Sequence, residues 1–179
     1  MRNKRNGCGS ALKEEGIEYT EKAFVSQASE FITIMCGYIR YYMETGNAAR
    51  AVLAAEWSIE HLMKMKEDPQ KRSFLDKIIS LLYLLLALAR DKAGQTETAE
   101  ADLRTAVQIA RTFYDGPLYT LENMVFTEHV PKTVYFYDDT GPTALDGLRG
   151  TLDEAGDLVP ASFRMKFEKE MGRISCREP

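Results

Sequence analysis

The sequence predicts an all-α protein built of antiparallel helical hairpins. Apolar residues recur at spacings of three and four through most of the chain, the period of an amphipathic helix. Gly and Pro are sparse, 12 and 6 in 179 residues, too few for a turn-rich β architecture. Two central segments repeat one residue rhythm at an offset of 48. The length suits one domain.

Residues 1–18 have weak periodicity and mixed charge. They read as a flexible N-terminal lead-in, with room for a short helix from Ala11, ahead of a single domain over 19–174. Helix one is expected from Thr20, a candidate N-cap followed by Glu21. Phe24, Ala28, Phe31, Met35, Tyr38 and Tyr42 form its stripe, and Gly46-Asn47 ends it. Helix two is expected over 48–66, with Ala51, Ala55 and Ser58 on its small-residue face. Asp68-Pro69 closes this hairpin, with Pro69 leading into helix three over 70–92. That helix holds the longest apolar stretch, 78–89, which is shorter than the roughly 20 residues of a membrane span. A short helix that is apolar all round belongs at the centre of a bundle. Helix four is expected over 97–113, stopped by Asp115-Gly116-Pro117.

Residues 113–139 differ. They have no sustained period and carry seven aromatics: Phe113, Tyr114, Tyr119, Phe126, Tyr135, Phe136 and Tyr137. The expectation is an ordered irregular segment packed on the helices, with a short helix over 121–126 and a β-prone run over 133–137. Residues 140–174 are expected to form a capping helix pair. Helix five would span 143–155 around Leu145, Leu148 and Leu152. Helix six would span 160–172 around Phe163, Phe167 and Met171.

The repeat pairs Met35, Tyr38, Ile39, Tyr42, Gly46, Ala51, Ala55 and Ser58 with Tyr83, Leu86, Ala87, Arg90, Gly94, Ala99, Leu103 and Ala106. Small residues let two helices approach closely, and Gly makes the turn between them. Ala87, Gly94, Ala99, Leu103 and Ala106 resemble the tetratricopeptide repeat (TPR) pattern. The first copy departs from it at Ile39, and the 48-residue offset exceeds the usual period of about 34. The resemblance covers about 30–112 and implies degenerate TPR-like hairpins stacked as an α-α superhelix. The layout, with YTLENMVF at 119–126 and YDDTGPTALDGL at 137–148, also resembles the C-terminal regions of bacterial helix-turn-helix transcriptional regulators. That resemblance implies a sensor or effector half alone, or a cut-down relative, since the roughly 19 residues before the expected helix one are too few for a helix-turn-helix.

No motif announces a reaction. Cys8, Cys36 and Cys176 are too scattered for a disulfide framework or a CxxC metal site, and their odd number favours a reducing, cytoplasmic setting. Cys36 reads as a small buried hydrophobe. His61 and His129 lack the converging ligands a metal requires, so structural or surface roles are expected. Asp139-Thr140-Gly141 resembles an aspartic-protease string, but in a helical chain it reads as a turn. Nucleophile elbows and phosphate loops are absent from the sequence. No enzyme, metal or cofactor is expected.

The aromatic residues hold the functional promise, because Tyr and Trp serve both cores and binding surfaces. The groove candidates are Tyr38, Tyr41, Tyr42, Trp57, Tyr83, Tyr119 and Tyr135, joined by Arg90. Tyr38, Tyr42 and Tyr83 read first as inter-helix core, whereas Tyr41 is offset from the inner stripe and expected to be exposed. Arg90 would bind a carboxylate, either from the chain itself or from a partner.

The leading expectation is a non-enzymatic interaction or effector-sensing module of a regulatory system, taking a protein or peptide partner or a small effector. A structural or homodimerisation domain is the alternative. A small-ligand enzyme using Glu128, His129 and Asp138 or Asp139 is the third. A net charge of −4 and a pI near 5.3 oppose direct nucleic-acid binding. No membrane association is expected.

Overall fold

Periodic apolar stripes with Gly-containing turns between them fold as helices over most of the described residues. The computed structural model describes residues 7–73, 75–114, 123–128, 130 and 143–175. The elements are α1 (Gly7–Glu44), α2 (Ala48–Lys64), α3 (Asp76–Lys92), α4 (Thr96–Tyr114), α5 (Ala144–Glu154) and α6 (Ala161–Ser175), with a 3-10 turn at Gly156–Leu158. No strand occurs among the described residues.

Each of the first four helices packs on the next, and α1 also packs on α3. The hairpins therefore stack side by side. The apolar stretch of α3 sits at the centre, with Leu82, Leu84, Ala87, Leu88 and Ala89 without solvent exposure. Among the described residues, no helix is long and apolar enough to cross a membrane. α5 packs on α3 and α4, and α6 packs on α4. One continuous apolar cluster runs from Ile32 to Phe167.

The two hairpin turns are built alike. Gly46 and Gly94 have φ of 76° and 77°, a left-handed conformation that favours Gly. The Asn47 N–H donates to the Tyr42 carbonyl at 2.8 Å, and the Gln95 N–H donates to the Arg90 carbonyl at 2.9 Å. The Gly46 and Gly94 N–H groups reach back to Met43 and Asp91. Both turns are thus Schellman caps. They lie 48 residues apart, and Ala51, Ala55, Ala99, Leu103 and Ala106 are buried behind them.

Four boundaries differ from the sequence reading. α1 starts at Gly7, so residues 7–18 are helical and Thr20 is no cap. The Thr20 hydroxyl instead donates to the Gly16 carbonyl at 2.9 Å, satisfied within the helix. α3 starts at Asp76, not near residue 70. Residues 65–73 and 75 belong to an irregular connection tied down by groups distant in sequence, and Pro69 lies within it. Over 123–126 the chain turns rather than coils, with Asn123 at φ 61° and Phe126 at φ 59°. α6 passes through Gly172 to Ser175. The run over 133–137 lies outside the described residues, as does Pro142. α5 follows Thr143, whose hydroxyl caps the Asp146 N–H in a reciprocal capping box.

Candidate functional site

The antiparallel helices α1 and α2 form the two walls of a cleft. Tyr38 and Tyr42 stand one turn apart on α1, and Leu53 and Trp57 stand one turn apart on α2. With Met35, Arg50 and Ala54 they line a groove of about 380 Å³. Tyr38 is 52% exposed, Leu53 59% and Trp57 49%. The inter-helix core is instead made by Ile39, Met43, Ala51, Ala55 and Leu62. The reading of Tyr38 as core is therefore corrected: it lies on the open side of α1. Tyr42 is half-buried at the base of the groove.

Aromatic contacts extend the surface in both directions. Trp57 stacks on His61 at 5.4 Å and meets Phe31 edge-on at 5.5 Å. Tyr41 packs edge-on against Tyr42 at 5.6 Å and is 57% exposed. Ile34, one turn before Tyr38, is 58% exposed. His61 is exposed and its ring belongs to this aromatic stack, a surface role as its sequence context suggested.

Arg90 does not face the groove. It donates to Asp102 and to Glu56, both at 2.5 Å, tying α3 to α4 and to α2. The carboxylates it was expected to bind are the chain's own. Burial pushes the Asp102 carboxyl above its ordinary range, and Arg90 opposes that push. Tyr83 is half-buried beside them; burial and then the Asp102 charge push its phenol up. Arg40 is likewise committed, to Glu154 at 3.2 Å. Cys36 is half-buried, and burial raises its thiol against the pull of Arg40. Tyr119 and Tyr135 lie outside the described residues.

A second groove of about 550 Å³ lies between α1 and the 123–128 segment, lined by Gly16, Ile17, Thr20, Glu21, Phe24, Phe126 and Glu128. Phe126 meets Phe24 edge-on at 5.6 Å. The buried Glu21 carboxylate accepts the Val130 N–H at 3.0 Å, and the Val125 N–H donates to the Met65 carbonyl at 3.0 Å. Part of the irregular segment does pack on the helices, as expected, but over the N-terminal half of α1. Of the residues required by the third reading, Glu128 lines this groove, while His129, Asp138 and Asp139 lie outside the described residues. No group of three metal-ligating side chains occurs among the described residues.

The chain matches no family model, no curated protein and no solved structure at a significant level.

Of the sequence-predicted groove residues, the structure brings Tyr38, Tyr42 and Trp57 together along one groove. Sequence reasoning missed Leu53 and Arg50. Leu53 was legible as a large apolar residue off the Ala51–Ala55–Ser58 stripe of α2.

Proposed function

We propose that this chain is a non-enzymatic, TPR-like interaction module that docks a protein or peptide on the groove between α1 and α2. The observation that carries this reading is the half-exposed aromatic and aliphatic row of Tyr38, Leu53 and Trp57 beside a fully formed core. Clustered apolar exposure of this kind marks interaction surfaces. The repeated Schellman turns and buried small residues at the 48-residue offset support the TPR-like reading. α5 packs on α3 and α4 and α6 packs on α4, and among the described residues neither lines the α1–α2 groove. A regulatory role follows if the partner prefers one of two states of an attached system, because only differential affinity shifts an equilibrium. The resemblance to effector regions of bacterial transcriptional regulators supports that setting, and an intracellular, cytoplasmic site of action goes with it.

The test is a peptide-display selection on the immobilised chain, counter-selected on a Tyr38→Ala/Leu53→Ala/Trp57→Ala variant. Binders that require the three side chains are expected. Binders that ignore them, or none, contradict the reading. The second reading, a homodimerisation face, rests on the same exposed row, and light scattering distinguishes it: a stable dimer of the unmodified chain that the triple variant dissolves would replace the first reading.

A further inference from the structure

We infer that the occupant of the α1–α2 groove is an amphipathic helix carrying a carboxylate at one end of its apolar row, seated on Arg50. This rests on the docking reading above and adds the chemistry of the partner.

Among the described residues, Arg50 is the one charged residue that lines the groove. Its backbone N–H is capped by Asn47 at 3.3 Å, but among the described residues its guanidinium has no carboxylate partner. The two acidic side chains of α2 are committed elsewhere, and exposed Glu44 at the end of α1 makes no ion pair with Arg50. Glu56 binds Arg90, Glu60 binds Lys64 and Glu154 binds Arg40. In a chain of net charge −4, the groove therefore presents a cation with no carboxylate bound to it among the described residues.

Helix stability does not explain that cation. Arg50 is the third residue of α2, in a first turn that holds no acidic residue. The helix dipole favours carboxylates there, and after an Asn cap this position suits Glu, which completes a capping box. Arg50 opposes both preferences. Its charge is better matched to something outside the chain.

The shape favours a helix over a compact small molecule. The groove is open along one side, whereas small-ligand sites enclose most of their ligand. Met35, Tyr38 and Tyr42 line the groove from α1 at i, i+3, i+7 spacing, and Leu53 and Trp57 line it from α2 at i, i+4. Two such rows on antiparallel helices are the seat for a third amphipathic helix. Arg50 precedes Trp57 by seven residues, about 10 Å along α2, so the partner's carboxylate lies about two turns from the side chain that meets Trp57.

Trp57 is the single tryptophan, so its emission reports occupancy directly. The probes are two Trp-free model helices with Leu and Phe along one face, one with Glu and the other with Lys at the end of that row. The Glu helix is expected to bind roughly fivefold more tightly than the Lys helix. Arg50→Glu is expected to reverse the preference. That variant gains a capping-box residue, so it should melt no lower than the parent, and a loss of binding is then not a loss of fold. Equal binding of both helices to both proteins overturns the carboxylate assignment and leaves docking standing. An unchanged Trp57 emission with either helix overturns docking and the assignment together.

Discussion

Lys66 and Asp76 hold the connection between α2 and α3 through a buried ion pair. The Lys66 ammonium donates to Asp76 at 3.0 Å and to the Pro69 carbonyl at 3.2 Å, and the side chains are 4% and 12% exposed. The other Asp76 oxygen accepts the Ser73 N–H at 3.0 Å. Asp76→Leu strands a buried ammonium and is expected to cost about 3–5 kcal/mol in urea unfolding. Lys66→Met/Asp76→Leu is expected to cost less than either single change, because no charge is left unpaired. Strictly additive costs would show that the pair is not coupled. At Asp146 the sign of a pH effect follows from the capping box. Hydrogen bonds from Thr143, first through its side chain and then its backbone, hold the Asp146 carboxyl below its ordinary value of 3.8. That stabilisation is complete above the ordinary carboxylate value and is lost as pH falls through the lowered folded value. Asp146→Asn should therefore lower the urea midpoint at neutral pH, with the deficit shrinking in acid. Thr143→Ala should cost about 1 kcal/mol at neutral pH.

Among the elements, the hairpin turns were legible because their determinants are local. A glycine at φ 76° or 77° after an apolar helix specifies its own cap. Gly46→Ala and Gly94→Ala are each expected to cost about 1 kcal/mol in thermal or urea unfolding, and by similar amounts, since the two turns share one geometry. Markedly unequal costs would break the equivalence of the two hairpins. The start of α3 was not legible, for a reason 55 residues away. The Asn123 side chain accepts the Asp68 N–H at 2.6 Å and donates to the Asp68 and Lys71 carbonyls, each at 2.9 Å. Those bonds hold 68–71 in a turn that helix-compatible residues would not choose alone. The start of α1 misled for the opposite reason. Thr20 has the chemistry of a cap, but its hydroxyl bonds the Gly16 carbonyl and the helix continues through it. The turn at 123–126 rests on long-range contacts as well, with Phe126 held at positive φ against Phe24.

At the scale of the whole molecule, the stack buries α3 between its neighbours and covers its far end with α5 and α6. Ion pairs fasten that cover, Lys166 to Asp91 at 2.9 Å and Glu154 to Arg40 at 3.2 Å, and Arg164 joins its two helices through Asp153 at 2.7 Å. The helical class was readable from periodicity because burial on one face imposes it. The groove was readable only in part. Residue type marks Tyr38 and Trp57 as versatile, but whether a tyrosine is core or surface depends on a rotation of α1 that the stripe of Ile32, Ile39 and Met43 sets. Arg90 shows the same limit: its partners Glu56 and Asp102 come from the two helices packed against α3. The central claim is that the α1–α2 groove stands open for another protein. Acrylamide quenching of Trp57 across a wide range of protein concentration, with the mass read in parallel by light scattering, tests it most directly. The expected result is a quenchable Trp57 at the monomer mass of 20.3 kDa at every concentration. A Trp57 shielded from acrylamide, whether by dimerisation or within the monomer, would contradict it.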